Sequence, residues 1–125
     1  MFRKVRLAAR ADGAYVVGLT VPQTNVVRGS LLVLTELTLS PERMTVQFGF
    51  AKADLEEMVG RLDPMVSTGA ELVLTARELR MIYLALWQVP EMFGSEEAFY
   101  IRLGFFTEQT RGLAREILAA VDRAR

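Results

Sequence analysis

The sequence contains no cysteine and no histidine. The first absence rules out a disulfide framework, a thiolate metal site, a thiol nucleophile and an iron-sulfur cluster. The second removes the commonest metal ligand and the commonest general base, so no imidazole-based triad can form within this chain. An excess of either charge is also missing, because 15 basic residues face 15 acidic ones. No net field draws in a polyanion, and nucleic-acid binding lacks support on that ground. Lysine occurs only as Lys4 and Lys52, the remaining cations being arginines. The glycines are dispersed and form neither a phosphate loop nor a dinucleotide fingerprint, and no serine sits in a Gly-x-Ser-x-Gly elbow. No run of eighteen apolar residues is present, and Met1-Phe2-Arg3-Lys4-Val5-Arg6 lacks the apolar segment of a secretory signal. The expectation is a cytoplasmic protein with no membrane span, no cofactor, no metal and no catalytic residue set.

What is present reads as one domain over residues 1–125, strand-rich over 1–50 and helix-rich over 51–125. Val5, Leu7 and Ala9 alternate with Lys4 and Arg6, a half-buried strand beginning at Arg3. Asp12-Gly13 supplies a tight turn, and Tyr15, Val17, Leu19 and Val21 continue the alternation on a return strand. Pro22 to Gly29 reads as a polar connection. Ser30 to Leu39 is expected as a strand apolar on both faces, and Ser40-Pro41-Glu42-Arg43 as a turn. Met44, Val46, Phe48 and Phe50 then alternate with Thr45, Gln47 and Gly49, which predicts a fourth strand.

From Ala51 the period becomes helical, with Leu55, Met58, Val59 and Leu62 on one face until Asp63-Pro64. The acidic cluster Asp54, Glu56, Glu57 complements the dipole of that helix. A linker with Ser67, Thr68 and Gly69 leads to a short apolar strand, Glu71 to Leu74. Thr75-Ala76-Arg77-Glu78 is a capping box, so a helix starts at Ala76 and stops near Pro90. Ser95 caps a short helix that Gly104 ends, and Thr107 is expected to cap a last helix carrying Leu113, Ile117, Ala120, Val121 and Ala124, with Arg123 and Arg125 at its end. Strands followed by helices predict an α+β fold, a mainly antiparallel sheet of four to five strands with three to four helices packed on one face.

Two groups of residues are candidate functional positions. Trp87, Gln88, Glu91, Glu97, Tyr100 and Arg102 combine aromatics with charge, as binding hot spots do. Leu32, Leu34, Met81 and Leu84 lie off the main apolar stripes and are candidate interface residues. The order Glu78-Leu79, Ala85-Leu86, Glu97, Phe99, Arg102, Gly104 and a terminal helix with Glu108 resembles a class of small bacterial proteins, some of them similar to immunity proteins that neutralise a toxin. The resemblance covers about the last fifty residues. Trp87 and Gln88 stand where that pattern has Asn and Glu, and Tyr100 where His commonly follows the Phe. What the resemblance and the surplus apolar surface imply is a non-catalytic interaction protein of immunity type, or a homodimer. The rival expectation is a small-ligand binder, or an enzyme independent of His and Cys. Its aromatic pocket would be lined by Phe48, Phe50, Tyr83, Trp87 and Tyr100, with Arg102 or Glu97 as anchor. A basic patch of Arg3, Lys4, Arg6 and Arg10 is the remaining candidate, for nucleic acid.

Overall fold

A computed structural model describes residues 4–65, 69 and 71–124. Met1, Phe2, Arg3, Ser67, Thr68 and Arg125, named above, lie outside the described residues. The first hairpin forms as expected from its alternation. Strand β1 (Arg6–Ala9) pairs antiparallel with β2 (Tyr15–Gly18), Leu7 facing Val17 and Ala9 facing Tyr15. Gly13 takes the turn position with φ +85°, a backbone region open to glycine.

At Thr20 the chain departs from the expected strand. The Thr20 hydroxyl accepts from the Gln23 amide at 3.3 Å, and the Gln23 side-chain oxygen accepts from the Thr20 amide at 2.8 Å. This capping box starts helix α1 (Val21–Thr35), and Pro22 sits in the first turn, where its missing donor has no role. The polar connection over 22–29 and the strand over 30–39 are therefore one helix. Val26, Val27, Ser30, Leu31, Val33 and Leu34 are buried at helical spacing, and Leu32 is only half-buried. Burial on several sides overrides the β propensity of the Val-rich run. The central helix α1 packs against most of the other helices.

The predicted fourth strand is likewise a helix, α2 (Pro41–Phe48). Ser40 accepts from the Arg43 amide at 3.1 Å, and Pro41 occupies the first helical position. Met44 and Phe48, four apart, are buried on one side, while Val46 is 87% exposed on the other. Gly49, at φ +79°, ends the helix and returns Phe50 to the core.

The second half follows the expected reading more closely. Helix α3 (Lys52–Leu62) buries Leu55, Met58, Val59 and Leu62, and a short 3-10 turn (Asp63–Met65) follows it. Strand β3 (Glu71–Leu74) adds to β2 in antiparallel register, with Val17 facing Leu72 and Tyr15 facing Leu74. Helix α4 (Ala76–Gln88) begins at the Thr75–Glu78 capping box and runs into a 3-10 turn (Val89–Met92). Helix α5 (Glu96–Leu103) is capped by Ser95 and ended by Gly104 at φ +81°. In helix α6 (Thr107–Arg123) the cap position is Phe106, not Thr107, and the Gln109 side chain accepts from the Phe106 amide at 2.9 Å.

The fold is α+β, but the sheet has three strands in the order β1-β2-β3, and six α-helices carry most of the described chain. The expected sheet of four to five strands with three to four helices is overturned because residues 21–35 and 41–48 of the supposedly strand-rich half form two helices. Leu72, Leu74, Val17, Val5 and Leu19 are buried in one core with side chains of α1, α4 and α6, while Val73 on the opposite face is exposed. Both outer strands are tied to helices by charged side chains. Arg61 of α3 donates to the Val73 carbonyl of β3 at 2.8 Å, and Glu116 of α6 accepts from the Val5 amide just before β1 at 2.5 Å. Among the described residues, no helix is long and apolar enough to cross a membrane.

Candidate interaction surface

Helix α5 is held to the body at few points. Phe99 is its one fully buried side chain and meets Phe93 edge-on, ring centroids 5.3 Å apart. Leu103 approaches α1 where Gly29 has no side chain; a Cβ there would stand 3.2 Å from the Leu103 methyl. Glu96 accepts from the Thr107 amide at 2.9 Å and from its hydroxyl at 2.5 Å, joining the starts of α5 and α6. Arg102 reaches Glu36 at the end of α1, also at 2.5 Å.

The outward face of α5 carries Glu97, Tyr100 and Ile101, three and four residues apart and so neighbours on the helix surface. Ile101 is 75% exposed, and Tyr100, 45% exposed, stacks on Phe106, 49% exposed, with centroids 4.7 Å apart. A helix this short that sinks one aromatic and leaves two large apolar side chains in water is poorly explained by the monomer's own packing.

A second feature lies between α4 and α6. Tyr83 and Trp87 stack with centroids 6.3 Å apart and rings nearly parallel. The Arg111 guanidinium covers Trp87 at 5.2 Å and donates to Glu91 at 3.3 Å. Beyond Tyr83 the two helices and β2 enclose an apolar groove of about 210 Å³, walled by Tyr15, Leu79, Tyr83, Ile117, Leu118 and Val121, with Arg80 also lining it. Leu118 is 48% exposed. The groove is below the size at which clefts take drug-sized molecules, and it suits one large side chain.

A second hollow, of about 230 Å³, is charged. Asp54, Glu57, Arg61, Arg77 and Glu78 line it between α3 and the start of α4. Arg61 pairs with Glu78 at 2.5 Å, and Arg77 stands 3.8 Å from Asp54. Partial burial pushes the Glu78 carboxyl up, but the Thr75 amide and the Arg61 guanidinium outweigh it and hold its pKa below the ordinary value. Glu78 is thus a charged structural latch at neutral pH. A raised pKa, as a general acid requires, is the opposite of what these partners produce. Among the described residues, no three of Asp, Glu, His or Cys are grouped to hold a metal.

The structure separates the residues singled out from the sequence. Trp87 and Glu91 meet through Arg111, with Gln88 half-buried beside Trp87 in the chain. Glu97 and Tyr100 belong to the outward face of α5, and Arg102 is engaged with Glu36. Of the interface candidates, Leu34 and Met81 are core residues, whereas Leu32 and Leu84 are half-buried against the core. Phe48 and Phe50 are buried while Tyr100 faces water, so those two, Tyr83, Trp87 and Tyr100 do not wall a common pocket. In the basic patch, Arg10 is paired with Asp12 at 3.0 Å. Ile101, Phe106 and Leu118 are not among the candidate positions that the sequence suggests, where Phe105-Phe106 reads only as an apolar anchor of the connection. The signal at Ile101 and Leu118 is apolar character off the inward stripe, since Ile101 stands two residues after the buried Phe99 and Leu118 one after the buried Ile117. No family model, curated protein or solved structure matches this chain.

Proposed function

We propose that this chain is a non-catalytic, cytoplasmic protein-interaction module that engages its partner through the outward face of α5. The observation that carries the reading is the exposure of Ile101 beside the Tyr100–Phe106 stack, on a helix anchored inward by Phe99. Aromatic and aliphatic side chains clustered at a surface are the residues that carry binding energy once a partner excludes water from them. A capped helix presents them on a preformed frame, which lowers the ordering cost of association. The stack adds rigidity, because each ring limits the rotation of the other.

Site-specific photo-crosslinking in cells tests this. A photo-reactive residue replacing Ile101 is expected to trap a discrete protein adduct, and the same residue replacing the still more exposed Val46 on α2 is expected to trap none. Adducts of equal yield at both positions, or at neither, would remove the proposal.

A further inference from the structure

The outward face of α5 and the α4–α6 groove match each other in size and charge. On α5, Glu97 precedes Tyr100 by three residues and Ile101 by four, so one carboxylate flanks two apolar side chains. Glu97 makes no ion pair among the described residues. In the groove the pattern is reversed: Arg80 lines an apolar hollow of about 210 Å³ between Tyr83 and Leu118. Arg80 lies near the Phe50 ring at 6.0 Å, and it too makes no ion pair among the described residues.

We infer that the partner of the α5 face is a second copy of this chain, with Ile101 of one copy seated between Tyr83 and Leu118 of the other and Glu97 set against Arg80. This rests on the reading of α5 as the interaction face. Within one molecule α5 packs against α1 and α6, and its outward face points away from them, so the match is satisfied between copies. The two surfaces are unlike, and where a two-fold axis relates the copies the contact is made twice and closes a dimer. Burial of Ile101 and Leu118 supplies the apolar part of the association, and the Glu97–Arg80 pairing selects the orientation.

Light scattering of the full chain over a micromolar concentration series, with circular dichroism as a fold control, tests the inference. The wild type is expected to reach twice the monomer mass. Glu97→Arg and Arg80→Glu are each expected to raise the dissociation constant about tenfold, and their combination to return it to within about threefold of wild type. Leu118→Glu is expected to leave a folded monomer. A wild-type chain that stays monomeric throughout overturns the second copy as partner, while the crosslink at position 101 decides the α5 reading separately. A dimer unaffected by Leu118→Glu, or one whose charge reversals do not rescue each other, overturns the assignment of the groove.

Discussion

Arg61 and Glu78 form a joint in which each side chain serves two purposes. Arg61 Nη1 lies 2.5 Å from Glu78 Oε2 while its Nη2 donates to the Val73 carbonyl, and the other Glu78 oxygen accepts from the Thr75 amide at 2.9 Å. One ion pair thereby joins α3, the last strand and the first turn of α4. Exposed pairs contribute little, but this one is partly buried and shares its atoms with a helix cap. Arg61→Ala is expected to cost about 1–2 kcal/mol, with a coupling to Glu78→Ala of about 1 kcal/mol in a double-mutant cycle. Urea denaturation of the four proteins measures both, and a coupling near zero would contradict the joint.

Acid should loosen the fold in a predictable direction. Burial opposes ionisation of both Glu78 and Glu116, yet Glu78 is held low by Thr75 and Arg61, and Glu116 by Arg123 and the Val5 amide. A carboxyl lowered on folding adds stability that is fully present above its unfolded value, about 4.3, and is lost as pH falls through the folded one. With no histidine in the chain, stability should be flat from about pH 6 to 8. Combined Glu78→Gln and Glu116→Gln is expected to lower stability at neutral pH and to flatten the loss below about pH 4. Denaturation midpoints across pH measure this; a wild-type fall centred near neutrality would exclude it.

Ser30 is buried in the middle of α1 and, among the described residues, its hydroxyl has no hydrogen-bond partner. A solitary buried hydroxyl costs free energy, and alanine is the better helix former. Ser30→Ala is therefore expected to stabilise the protein by about 1 kcal/mol. Thermal denaturation gives the sign, and a loss of stability would mean that the hydroxyl has a partner after all.

Helix α2 can be checked at two positions of contrasting burial. Met44→Ala removes a buried side chain and is expected to cost about 2–5 kcal/mol, whereas Val46→Ser is expected to stay within about 0.5 kcal/mol. A strand would give comparable losses at both positions, since they share one face at period two.

That contrast also explains how far the sequence could be read. Met44 and Phe48 are four apart, a spacing that satisfies both a strand and a helix, so Val46 alone separated the two readings. The Ser40-Pro41 pair reads as a turn in sequence, although the same dipeptide caps a helix and fills its first position. In α1 the Thr20 and Gln23 cap was hidden by Pro22, and burial on several sides blurred the helical period of Val26 to Leu34. Where polar and apolar faces were distinct, as in α3 and α6, or a capping box was plain, as at Thr75, the elements emerged at nearly their true limits. Tyr100 and Glu97 of the candidate surface were legible as an aromatic beside a charge. The groove was not, because it brings Tyr15 from the first hairpin against α4 and α6, a long-range juxtaposition that no local pattern encodes.

Arg61 at Val73 and Glu116 at Val5 place a charged side chain at each flank of a small sheet. An incoming extended peptide seeking to lengthen that sheet must first displace a guanidinium on one side or a carboxylate on the other. Strand recruitment, including the runaway stacking that leads to fibrils, is thereby discouraged while both groups keep their charge.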